Sequence, residues 1–214
     1  MGQQTHPAHW PHTHADLAHL VRGLAHRLQL PESWRRHHDD RSVLTLFVVA
    51  NTAISMVLIS AIALLTHEPF VFPSLGPTAF LLFYAARNPV SSPYNTVVGH
   101  LIGVVAGYLS LLAMGLQNAT ADLADVTWPR AGAAALSLSL TAGAMVLLNA
   151  PHPPAGATTL IISLGVLHTL PQMGIVMAGV VVLVLQAEFV NWAAGVEYPL
   201  WRPSTSRHDT PIRR

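Results

Sequence analysis

The sequence predicts an all-α membrane protein made of two repeats, each a long apolar span, a segment broken by proline and glycine, and a second long span. Three observations carry this expectation. Only 10% of the 214 residues are charged and 51% are hydrophobic, against about 25% charged in an ordinary soluble domain. The charges avoid the middle: from Ser42 to Leu200 only Glu68, Arg87, Asp122, Asp125, Arg130, Glu188 and Glu197 occur. Finally, an offset of eighty residues lays Pro73 on Pro153, Gly76 on Gly156 and Thr78 on Thr158, with the flanking apolar runs in register.

Residues 1–41 form a polar N-terminal region with eight of the thirteen histidines (His6, His9, His12, His14, His19, His26, His37 and His38). Histidine-rich tracts can bind metal, but the spacing is irregular and a solvated tail is expected. Leu17, Leu20, Val21, Leu24 and Leu28 recur at helical spacing. They predict a short amphipathic helix, lying on the membrane or on the protein's own cytoplasmic face. No apolar h-region follows a short basic start, so no secretory leader is expected.

The first repeat is placed at 42–116, an acidic connecting loop at 117–130, the second repeat at 131–196 and a polar, arginine-containing tail at 197–214. Val43–Leu65, Thr96–Leu116, Ala131–Leu148 and Ile175–Ala194 are four runs long enough to span a hydrocarbon core of ~30 Å. Between the first pair lies EPFVFPSLGPTAFLLFYAAR (68–87), and between the second pair APHPPAGATTLIISLGVLHTL (150–170). Each of these begins irregularly and then settles into a short helical pattern.

Such a segment could cross the membrane or re-enter and turn back, and length does not separate the two. Arginine gathers in cytoplasmic loops, and both termini are arginine-rich, so both are expected inside. Crossing segments put Arg87 inside with them and Asp122 and Asp125 outside. Charge therefore favours six crossings, which would make the repeats inverted in topology. A plasma or bacterial-type inner membrane is the expected location.

Each short helix starts at a break within the membrane, where the positive end of the helix dipole and freed N–H groups suit a small anion. A pair of structural kinks is the competing explanation. His152, set among Pro151, Pro153 and Pro154, is aimed by its stiff neighbours and could donate to an anion, carry a proton or ligate a metal. Thr158, Thr159, Ser74 and Thr78 supply hydroxyls, unless these bond back to their own helices. With Gly76 and Gly156 these residues make up the candidate substrate site.

Glu188 lies in the last span, where an ionisable group is a functional hypothesis by default; with His100 it forms a candidate proton relay. Asn51 and Asn149 are candidates for bonds between helices. Gly99, Gly103 and Gly107 recur every fourth residue, a face that lets another helix come close.

Nothing suggests an enzyme: no phosphate-binding glycine loop, HExxH pair or nucleophile elbow occurs, and no cofactor or resident metal is expected. A net charge of +1 argues against a nucleic-acid partner. The partners expected are the bilayer, a small anion and further copies of the chain.

FPSLGPTAFLLF (72–83), NTVVGHLIGVVAG (95–107) and above all NAPHPPAGATTLIISLG (149–165) resemble the HPP family of integral membrane proteins, over about residues 42–195. The family takes its name from the His-Pro-Pro found here at 152–154. The resemblance implies four transmembrane helices and, from members in chloroplasts and cyanobacteria, nitrite transport. No appended regulatory domain is expected in the short tail. The leading expectation is a transporter or channel for a small inorganic anion, nitrite first. The alternatives are a metal-cation transporter using His100, His152, Glu188 and the tail, and a membrane subunit or sensor that transports nothing.

Overall fold

The computed structural model describes residues 40–67, 72–119 and 127–202. The amphipathic stretch near Leu17, the histidine-rich tract, Asp122 and Asp125, and the last arginines lie outside these residues. Within them the protein is all-helical, with no strand. Four helices are long and apolar enough to cross a membrane: α1 (Asp40–Thr66), α3 (Pro93–Ala113), α4 (Trp128–Leu147) and α6 (Leu170–Ala193). Two short helices, α2 (Leu75–Tyr84) and α5 (Ala155–Ser163), follow the proline-rich stretches, and a 3-10 turn at Pro89–Ser91 leads into α3.

Three long helices start a few residues before their apolar runs because hydroxyl caps draw them back. Ser92 Oγ accepts the Asn95 amide at 3.2 Å with Pro93 opening the helix, and Thr127 Oγ1 accepts that of Arg130. In α6, Thr169 Oγ1 accepts from Gln172 N–H while Gln172 Oε1 accepts from Thr169 N–H at 3.1 Å, a full capping box. These caps satisfy amides that the helix itself leaves open.

The ends are equally regular. After α3, α4, α5 and α6 the chain turns left-handed at Gly115, Asn149, Gly165 and Gly195. The amide after each of these returns to a carbonyl five residues back: Leu116 to Leu111, Ala150 to Met145, Val166 to Ile161, Val196 to Asn191. This is the Schellman closure, and Asn149 is the one non-glycine residue among the four that makes it. Asn149 thus ends a helix rather than bridging two. Asn51 bonds its own helix too, donating to Phe47 O at 2.7 Å.

Helix directions follow from the contacts. Phe47, early in α1, meets Phe83, late in α2, edge to face at 6.0 Å. Positions 99, 103 and 107 of α3 face His152, Ala155 and Thr159 in turn, so α5 and the turn before it run parallel to α3. Tyr94 Oη donates to Leu148 O, bringing the end of α4 back to the start of α3. Residues after α6 join the same end: Tyr94 N–H donates to Trp201 O at 2.9 Å, Tyr198 Oη to Ser91 O at 2.7 Å, and Arg87 pairs with Glu197 at 3.1 Å.

The close approach of α3 and α5 depends on having no side chain at the three glycines. A Cβ at Gly99 would sit 2.6 Å from His152 Cβ, at Gly103 2.7 Å from Ala155 O, and at Gly107 2.8 Å from Thr159 O. In lipid, such backbone proximity supplies the dispersion attraction that a hydrophobic effect between helices cannot. The opposite case is the outer face of the bundle. Leu46, Val57 and Leu64 on α1 and Val146 and Leu147 on α4 are exposed, as a surface facing acyl chains requires.

Candidate functional site

Where α2, α3 and the Pro-rich turn before α5 meet, four side chains form one hydrogen-bonded cluster. His100, on α3, places Nδ1 2.8 Å from Thr158 Oγ1 and Nε2 2.9 Å from Thr78 Oγ1. His152 places Nε2 3.3 Å from the same Thr78 Oγ1 and Nδ1 2.8 Å from Val90 O. Thr78 Oγ1 also lies 2.9 Å from Ser74 O. The two imidazole rings are 5.0 Å apart, centroid to centroid. All four side chains are buried.

Local sequence explains each placement. Thr78 and Thr158 stand in the first turn of their short helices, so their hydroxyls project where the chain has just emerged from the break. Gly99 opens the space that His152 fills, and its neighbour His100 lies alongside. The carbonyl of Val90 belongs to the 3-10 turn, and the N–H of the same peptide unit, that of Ser91, donates to Asn88 O at 2.9 Å and fixes that peptide.

The sequence candidates divide in the fold. Thr78, His100, His152 and Thr158 come together. Ser74 and Thr159 are buried beside them in the chain, and their hydroxyls are without a partner among the described residues. Pro154 is buried, whereas Pro153 is exposed. Gly76 has open space where a side chain would go, and a Cβ at Gly156 would meet only Leu138 Cδ1 at 3.4 Å.

Glu188 is not His100's partner: every bond of that imidazole goes to a threonine. The carboxylate sits five residues before the end of α6 and acts on Tyr198. Burial first, and the neighbouring Glu188 second, push the Tyr198 phenol well above its usual range, which keeps it a neutral donor to Ser91 O. Among the described residues no group of three or more histidine or acidic side chains is placed to hold a metal ion.

The expectation of freed amides at the breaks also needs correction for α5. Its first-turn amides are already taken, Ala155 by His152 O at 3.1 Å, Gly156 by Pro153 O at 2.9 Å and Ala157 by Pro154 O at 3.0 Å. The polar groups on offer at this break are the imidazoles and hydroxyls. Sequence reasoning missed Asn191, which is fully buried and ties α6 to α2 by donating to Leu82 O at 3.1 Å; its position on the inward stripe of α6 was the available signal.

Four apolar spans around a buried polar cluster define an integral membrane protein of the helical-bundle class. The chain belongs to the HPP family, whose transmembrane-region model matches residues 38–199. It is similar to two transmembrane proteins of Dictyostelium discoideum. One is 29% identical over 133 residues, covering 60% of this chain and 44% of that protein. The other is 33% identical over 92 residues, covering 43% and 27%. The chain thus spans less than half the length of these curated relatives. No solved structure matches it.

Proposed function

We propose that this protein is a transporter or channel for a small inorganic anion, nitrite first among substrates, and that it is not an enzyme. The observation that carries the reading is the convergence of Thr78 and Thr158, from two short helices, on the two ring nitrogens of a third helix's imidazole. Buried groups that could each have been apolar are instead aimed at one another within the membrane portion, where polar side chains are expensive and mark pathways. Ser74 and Thr159 add buried hydroxyls with no partner among the described residues. The family association with nitrite transport supplies the substrate class.

In this reading the two short helices complete crossings, giving six, and the halves have inverted topology. The contacts that place Arg87 and Glu197 at one end, and α5 parallel to α3, support it. The positive-inside rule then puts that end, with Arg202 and both termini, in the cytoplasm. A homo-oligomer belongs to the proposal, because six short spans, with α4 packed chiefly on α3 and α5, enclose little on their own.

Counterflow of labelled nitrite into proteoliposomes, competed by nitrate, formate and chloride, tests the reading. Selective uptake that falls in a still-folded His152→Ala variant is the expected result. With inserted, folded protein and no flux of any anion, a membrane subunit or sensor becomes the better account.

A further inference from the structure

The cluster can be counted proton by proton. There are five hydrogen-bond positions: Thr158 Oγ1 to His100 Nδ1, His100 Nε2 to Thr78 Oγ1, Thr78 Oγ1 to His152 Nε2, Thr78 Oγ1 to Ser74 O, and His152 Nδ1 to Val90 O. With both histidines neutral, each of the four side chains brings one proton. One position is therefore empty.

Chemistry decides which. Val90 O can only accept, so His152 Nδ1 carries its ring's hydrogen. Ser74 O can only accept, and although it also receives the Thr78 amide at 3.3 Å, its 2.9 Å contact with Thr78 Oγ1 brings two oxygens together and needs the hydroxyl hydrogen between them. Nothing is then left to occupy the 3.3 Å position between Thr78 Oγ1 and His152 Nε2. A proton added to His152 Nε2 fills it. Thr78 Oγ1 then accepts from both imidazoles and donates to Ser74 O, its full complement, and Thr158 donates to His100 Nδ1. A proton added to His100 would leave the gap where it was.

An imidazolium buried here is costly unless an opposite charge joins it. None of the five positions supplies one. The charged groups of the surrounding elements are Arg87 and Glu197, paired with each other at the exposed end of the bundle, Glu188, which acts on Tyr198 beyond the end of α6, and Arg130, buried at the start of α4. Helices α3 and α5 carry no charged residue, and α4 approaches Gly99 through the methyl group of Met145, fifteen residues or ~22 Å along the helix from Arg130.

We propose that the Thr78–His100–His152–Thr158 cluster binds one proton, on His152 Nε2, together with one small monoanion, so that the pair enters the site electrically neutral. This rests on the anion-transport reading above and fixes its coupling. The anion supplies the missing counter-charge, and the buried hydroxyl of Ser74, without a partner among the described residues and four residues before Thr78, is a donor for it. Proton and anion each strengthen the other's binding by the same factor.

The purified protein in detergent is titrated with sodium nitrite at about pH 8, where exposed histidines near the ordinary value of about 6.5 are neutral. A pH dye in weak buffer counts protons, with Thr78→Ser, Thr78→Val and His152→Gln alongside. Uptake of about one proton per nitrite bound is expected, kept in Thr78→Ser and lost in the other two. Apparent affinity should fall roughly tenfold per unit rise in pH. Nitrite binding or flux without proton uptake overturns the coupling and leaves the transport reading standing. Protonation of His152 without nitrite, followed by 15N histidine NMR, overturns it as well. Absence of both binding and flux removes the two together.

Discussion

Thr78 and Thr158, eighty residues apart, hold opposite edges of one imidazole, at 2.9 and 2.8 Å from the two ring nitrogens of His100. The ring cannot turn without losing both. Thr78 has the heavier duty, since it also faces His152 Nε2 and Ser74 O.

Thr78→Val is therefore expected to destabilise the protein more than Thr158→Val. Leaving a buried polar group unpaired costs about 1–3 kcal/mol, and with both histidines neutral Thr78 makes two of the cluster's bonds, to His100 Nε2 and Ser74 O, where Thr158 makes one. Apparent melting temperatures in detergent check the order, with Thr78→Ser expected close to wild type.

Gly103→Ala should cost about 1–3 kcal/mol, because the new methyl meets the backbone oxygen of Ala155 at 2.7 Å and neither helix can yield alone. Gly76→Ala meets nothing within 4 Å and should be neutral or stabilising by up to about 1 kcal/mol. Equal losses at the two positions would sink the close-packing account of α3 and α5.

Ser137→Ala removes the 2.9 Å bond to Ser163 between α4 and α5. Hydrogen bonds between membrane helices average about 0.6 kcal/mol, and Ser163 retains a longer bond to Leu160 O at 3.4 Å. A small loss in thermal stability with unchanged flux is expected.

Glu188→Gln should leave anion flux intact, since the carboxylate belongs to the Tyr198 end of α6 and not to the imidazole cluster. A flux defect with normal folding would return Glu188 to the pathway.

The chain has no cysteine, so single cysteines report sidedness without background. Asn88→Cys and Leu200→Cys are expected to react with a membrane-impermeant maleimide from the same side, and Asn118→Cys from the other. Asn88 reacting on the side of Asn118 would mean that α2 turns back.

Much of this was legible from the sequence. The four long spans are read from their length and lack of charge, and the three-glycine face announced a close neighbour. The short helices could be placed but their contents could not be paired. His100 looks like a partner for Glu188 because both are ionisable groups in spans; the inward or outward facing of each side chain separates them, His100 being fully buried and Glu188 only half-buried on α6. Asn51 looks like a bridge and bonds Phe47 O instead, the carbonyl one turn back on its own helix. Freed amides were expected at the Pro-rich break, but a succession of tight turns takes them up at Ala155, Gly156 and Ala157.

The position of His100 along α3 has an electrical consequence. It is the eighth residue of a 21-residue helix, so it lies ~10 Å in from the Arg87 end and ~20 Å from the other. A bare anion reaching it from the Arg87 end would traverse about a third of the transmembrane field, or ~0.8 kcal/mol at 100 mV. From the far end it would traverse about twice as much. Voltage should therefore favour one direction of loading for an unaccompanied anion and become irrelevant once a proton travels with it.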